Sequence, residues 1–128
     1  MAALIQIRNN VEGVKVFLSG DSYSLGRGDG NDIVVNDDLA SREHALLERV
    51  AVLGKPEEVR YIIRDLGSTN GTFVNHKQVS EQALNDGDVI RLGQTFLRFA
   101  LHERGEAAET RVIKKTIIPG VYITTDKK

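Results

Sequence analysis

A chain of 128 residues with 41% hydrophobic content can bury one compact core and is too short for two ordinary domains. Its formal net charge is -1, and no run of Lys or Arg exceeds two residues, so nothing marks a partner in duplex nucleic acid or an anionic membrane; any anion site must be local. The absence of cysteine excludes a disulfide frame, a thiolate zinc site and a cysteine nucleophile.

The N-terminal MAALIQIRNN carries a short apolar patch without a basic leader and reads as a strand rather than a signal peptide. No stretch approaches the roughly 20 apolar residues of a membrane span, and a cytoplasmic protein is expected. Further along, apolar residues recur with period two in short runs bounded by Gly, Asn, Asp and Ser, which is a strand pattern. The predicted strands are 3–8, 14–18, 23–25, 33–35, 44–52, 59–65, 72–74, 88–92 and 95–101, with short ones near Lys77 and Ala83. NNVEG, SGDS, GDGND, LGKPEE, LGSTNG and LNDGD lie between them as turns. No segment up to Leu101 holds a helical stripe. The expected fold is all-β, a two-sheet sandwich of mostly antiparallel strands spanning residues 1–101, followed by a tail or linker over 102–128.

Loops at one end of a sandwich commonly carry the binding function. Three of them concentrate anion-binding groups: SLGRGDGND around Arg27, LASREHALL with Ser41, Arg42 and His44, and DLGSTNGTFVN with Ser68, Thr69 and Asn70 between Gly67 and Gly71. Two guanidiniums, several hydroxyls, an amide and glycine-exposed N–H groups suit a phosphate dianion, with its three acceptor oxygens.

The ordered set Gly26-Arg27, then Ser41-Arg42-x-His44, then Asp65-x-x-Ser68-x-Asn70-Gly71-Thr72-x-Val74-Asn75 closely resembles the forkhead-associated (FHA) domain family over residues 4–101. The resemblance implies a SMAD/FHA-like sandwich of about 11 strands and a non-catalytic module needing no cofactor or metal. Its loops would bind a phosphothreonine in an extended peptide. The same resemblance implies that Arg27, Ser41 and Arg42 contact the phosphate, that Thr69 adds a hydroxyl or N–H, and that Asn70 holds the peptide main chain. Gly26, His44, Asp65, Ser68, Gly71 and Asn75 would support the site. The implied partner is a phosphothreonine protein, a Ser/Thr kinase or its substrate, bound in signal transduction. Three or four charge-assisted bonds, set against peptide ordering, suggest roughly micromolar affinity.

Other readings of the same residues are weaker. Ser68, His44 and Asp65 are the residue types of a hydrolytic triad, but Ser68 sits on no strand-to-helix elbow. Arg27-Gly28-Asp29 matches an adhesion tripeptide and Asn70-Gly71-Thr72 a glycosylation sequon, both without meaning in the cytoplasm. Asp29, Asp32, Asp37 and Asp38 lack calcium-loop spacing and read as turn formers, while His44, His76 and His102 lack ligand spacing. A phosphorylation-independent scaffold docking through a sheet face is the alternative to phosphopeptide binding.

In the tail, the stretch 112–123 is β-prone and apolar with Pro119-Gly120 as a breaker, which reads as a linker or a packing arm. Thr110, Thr116, Thr124 and Thr125 are candidate kinase substrates whose phosphate would occupy the protein's own groove or, by self-association, a neighbour's.

Overall fold

The structure, a computed structural model, describes residues 1–104 and 116–118. Twelve strands run in order: β1 Ala3–Arg8, β2 Val11–Phe17, β3 Ser22–Gly26, β4 Ile33–Val35, β5 Ala45–Val52, β6 Lys55–Asp65, β7 Thr72–Val74, β8 Lys77–Val79, β9 Glu81–Ala83, β10 Val89–Leu92, β11 Thr95–Ala100 and β12 Thr116–Ile118. They form two six-stranded sheets, ordered β2-β1-β11-β10-β7-β8 and β12-β4-β3-β5-β6-β9. Pairing is antiparallel throughout except where β4 lies parallel to β3 and to β12. No helix occurs among the described residues, so none there is long and apolar enough to cross a membrane.

Alternation builds the core. In β11, Thr95, Leu97 and Phe99 are fully buried while Phe96 and Arg98 are only partly so. Leu4 and Leu92 join them from the first sheet, and Leu25, Ile33, Leu47 and Ile63 face them from the second. The rings of Tyr61 and Phe99 meet between the sheets at 5.2 Å. Removing the Phe99 ring would cost about 3–5 kcal/mol.

Two strands start well before the sequence suggests, and β3 gains one residue at each end. Asn9 and Asn10 both take positive φ, 54° and 64°, and make a two-residue turn, so β2 starts at Val11 rather than Val14. Leu53 and Gly54, the glycine at φ 82°, turn the chain, and Val52 pairs with Lys55, so β6 begins four residues before Val59. Polar side chains on exposed hairpin ends hide such extensions from a hydrophobic pattern.

β12 comes from the segment read as a tail. It pairs Thr116–Ile118 with Ile33–Val35, and Ile118 is fully buried in the main core. Thr110, Thr124 and Thr125 lie outside the described residues.

Register brings the three loops together. Leu25 pairs with Ala45, Ala45 with Asp65, and Gly26 with Val34. The ends of β3, β4 and β6 and the start of β5 therefore lie side by side. The loops 27–32, 36–44 and 66–71 emerge from this one line.

Candidate functional site

Backbone bonds first join the loops. The Arg27 N–H donates to the Ser41 carbonyl at 2.8 Å and the Gly28 N–H to the Arg42 carbonyl at 3.1 Å. That approach leaves no room at Gly26, where an added Cβ would lie 2.3 Å from the Arg42 carbonyl oxygen. Buried Asn31 secures the junction, its amide donating to the carbonyls of Gly28 at 2.8 Å and Arg42 at 2.6 Å.

His44 ties the second loop to the third. It is fully buried; its Nδ1 accepts from the Ser41 N–H at 3.0 Å, and its Nε2 lies 2.8 Å from the Gly71 carbonyl. An amide on one side and a carbonyl on the other admit only the neutral tautomer with hydrogen on Nε2. Gly71 takes φ +90°, where a side chain would be strained, and a Cβ there would also displace the Gln78 amide, 2.7 Å away.

The third loop is wound around Asp65. Its carboxylate accepts from the Gly67 and Ser68 amides at 3.0 Å each, from the Ser68 hydroxyl at 2.5 Å and from Thr72 Oγ1 at 2.7 Å. Ser68 Oγ accepts in turn from the Gly71 N–H at 3.0 Å. Burial pushes the Asp65 carboxyl up, but the hydroxyls of Ser68 and Thr72 and the two amides outweigh it and hold it below its ordinary value. This accounts for the dense turn chemistry of DLGSTNGT: one carboxylate organises four donors within seven residues.

The contact candidates stand on this frame. Arg27 is exposed, with Nε donating to the Ala40 carbonyl at 3.1 Å. Ser41 Oγ accepts from the Thr69 N–H at 2.9 Å and keeps its own proton to donate elsewhere. Among the described residues the Thr69 hydroxyl, unlike its amide, makes no hydrogen bond. Asn70 is exposed and its amide donates to the Leu39 carbonyl at 2.8 Å. Arg27, Ser41, Thr69 and Asn70 are thus joined through residues 39–41. Arg42 sits to one side, in a cleft of about 440 Å³ that it shares with Ser24, Gly28, Gly30, Asn31, Glu43 and Leu66. Arg49, Arg64 and Arg98 pair with carboxylates, whereas among the described residues neither Arg27 nor Arg42 does. This end therefore carries two guanidiniums without an ion-pair partner among the described residues, with Glu43 lining the same cleft as Arg42.

Asn75 acts elsewhere. At φ 51° it turns the β7–β8 hairpin, and its side chain bonds Asp88 at 2.9 Å and the Val89 N–H at 2.9 Å, away from the three loops. Asn31 and Asp37 carry weight that their turn-rich surroundings did not reveal. Asp37 is fully buried and accepts from the Leu39 N–H at 2.9 Å, the Gln94 N–H at 2.8 Å and Thr95 Oγ1 at 2.8 Å, anchoring the Ser41 loop to the β10–β11 hairpin. The available signal was an acidic residue two positions after a fully apolar strand, back on the buried side past the exposed Asn36. Among the described residues no group of three His, Asp or Glu side chains is placed to hold a metal.

The sequence profile of the FHA domain matches residues 23–93, a span that contains all three loops. The ABC transporter ATP-binding/permease protein Rv1747 of Mycobacterium tuberculosis is 47% identical over 92 residues, which is 69% of this chain and 10% of that protein. A structure solved in work on phosphothreonine-dependent FHA domain interactions is similar at TM-score 0.65 and 31% identity, covering 80% of this chain and 99% of that one. Mycobacterium tuberculosis EmbR in complex with a low-affinity phosphopeptide gives TM-score 0.68 and 32% identity, covering 82% of this chain and 25% of that one. The chain spans only a small part of the transporter and of EmbR. Fold, loop architecture and profile agree over the same residues, and the chain belongs to the FHA family, non-catalytic recognition modules that bind phosphothreonine peptides.

Proposed function

We propose that the loops at the β3, β4 and β6 ends hold the phosphate of a phosphothreonine, and that this chain acts by recognition without catalysis. In this reading the guanidinium of Arg27 donates to the phosphate with its terminal nitrogens, its Nε being held by Ala40. The Ser41 hydroxyl donates its free proton, and the Thr69 hydroxyl adds a further contact. Asn70 reaches the peptide main chain, and Arg42 contributes charge from its cleft and meets residues beside the phosphothreonine. The partner is a phosphorylated protein, a Ser/Thr kinase or its substrate, met in the cytoplasm.

One observation carries the proposal. Arg27, Ser41, Thr69 and Asn70 are linked to one another by hydrogen bonds through residues 39–41, while both guanidiniums at that end lack carboxylate partners among the described residues. Such a preorganised cationic loop set favours a dianion without first breaking an ion pair. The buried triad types do not compete, because the Ser68 hydroxyl donates to Asp65 and His44 is occupied at both ring nitrogens by Ser41 and Gly71.

Isothermal titration of an oriented peptide library tests this reading. Binding of phosphothreonine peptides at roughly micromolar Kd, with no heat from the unphosphorylated set, is expected. Equal binding of both sets would favour the phosphorylation-independent scaffold.

A further inference from the structure

Of the asparagines in the chain, only Asn70 is followed by glycine. With no Cβ on its successor, little obstructs the swing of the next peptide nitrogen onto the asparagine side chain. The loop has this pairing built in. Asn70 supplies the amide that bonds the Leu39 carbonyl, and residue 71 sits at φ +90°, where any residue with a Cβ is strained.

Asn70 is exposed, so water and hydroxide reach it. Both reacting groups are nonetheless held. The Gly71 N–H donates to Ser68 Oγ at 3.0 Å, and the Ser68 hydroxyl is itself fixed by donating to Asp65 at 2.5 Å. Asn70 Nδ2 is tied to the Leu39 carbonyl at 2.8 Å. Attack of the nitrogen on the side chain requires the first to leave Ser68 and the second to leave Leu39, which is a local opening of the loop.

We infer that Asn70 is a site of spontaneous deamidation, restrained by Ser68 and Leu39, and that its conversion closes the loop end to phosphate ligands. The Gly71 nitrogen bonds to Asn70 Cγ, the Cγ–Nδ2 bond breaks, and ammonia leaves with the Gly71 amide proton. Water then opens the five-membered imide at either carbonyl, giving aspartate or isoaspartate. Nothing else is consumed. A carboxylate at 70 has no proton to offer the Leu39 carbonyl and sets a like charge beside the place of a dianion. Isoaspartate also lengthens the main chain of a loop held at fixed spacing. The loss of binding rests on the phosphothreonine reading of the site; the chemistry at Asn70 does not.

The test holds the full chain and the free peptide 65–77 in mildly alkaline buffer and follows deamidation by mass spectrometry, with fragmentation separating Asn70 from Asn75. The folded chain is expected to convert at least about 10-fold more slowly than the peptide, the factor for one net hydrogen bond of about 1.4 kcal/mol. Ser68→Ala should recover about that factor. Hydrogen exchange of the Gly71 amide in the parent needs no variant, and its protection should be of the same order as the slowing. Equal rates in chain and peptide, an unprotected Gly71 amide, or a folded Ser68→Ala chain that converts at the parent rate overturns the inference. The deamidated chain, separated by its added charge, should bind a degenerate phosphothreonine library at least about 10-fold more weakly than the intact chain. Equal binding overturns the closure. If the intact chain binds no library member, the site reading fails, and the rates still decide the chemistry at Asn70.

Discussion

The Thr69 amide donates to the Ser41 hydroxyl at 2.9 Å and so joins two loops that are separated by 28 positions in sequence. Ser41 is both a brace and a proposed phosphate donor. Ser41→Ala should therefore weaken phosphothreonine binding by about 10- to 100-fold, corresponding to about 1.5–3 kcal/mol, while the melting temperature falls only slightly. Calorimetric titration beside a thermal melt checks both halves, and a large loss of Tm with unchanged affinity would reverse the assignment.

His44→Ala should act first on stability. It opens a void in a fully buried position and leaves the Ser41 N–H and the Gly71 carbonyl without partners. A cost of about 2–4 kcal/mol is expected in urea unfolding, with weaker peptide binding because Ser41 loses its support.

Asp65 gives the loop a pH dependence. Folding lowers its pKa, so the unfolded chain binds its proton more readily than the native one. The stability it contributes is fully present above the ordinary carboxylate range near 3.8 and is lost as pH falls through the lower native value. Asp65→Asn should be less stable than the parent at neutral pH by about 1–3 kcal/mol, and the gap should close in acid. Thermal unfolding from neutral pH to about pH 2 measures it. A gap that is constant across that range would contradict this role.

Two glycines, one closing β3 and one in the loop that follows it, should respond differently to the same change. Gly26→Ala drives a Cβ to 2.3 Å from a backbone oxygen, whereas Gly30→Ala meets nothing within 4 Å. The first should cost about 3 kcal/mol and disturb the approach of Arg27 to the Ser41 loop; the second should be near neutral. Paired denaturant curves decide the matter.

Much of this was legible in the residues, for reasons that differ by element. β1, β4 and β7 match their expected limits because turn residues bound β4 and β7 on both sides and Asn9-Asn10 end β1. The early parts of β2 and β6 were hidden because exposed hairpin arms need no apolar alternation. The loop residues Arg27, Ser41, Thr69 and Asn70 stood out through turn chemistry and spacing, and the structure joins them through short bonds. Asn31 and Asp37 did not, because burial of a polar side chain depends on which distant hairpin it meets. For Asp37 that partner lies 57 and 58 positions away, at Gln94 and Thr95. A packing arm was one reading of the tail, but its partner was not legible for the same reason, since the neighbour of the three-residue β12 is the distant β4 edge.

The account depends most on Arg27, an exposed guanidinium held at Nε and without a carboxylate among the described residues. Titration of one phosphothreonine peptide into the parent and into Arg27→Ala is the most direct test. A loss of about 100-fold or more, near 3 kcal/mol, with an unchanged melting curve is predicted. Equal affinity in the two proteins would contradict it.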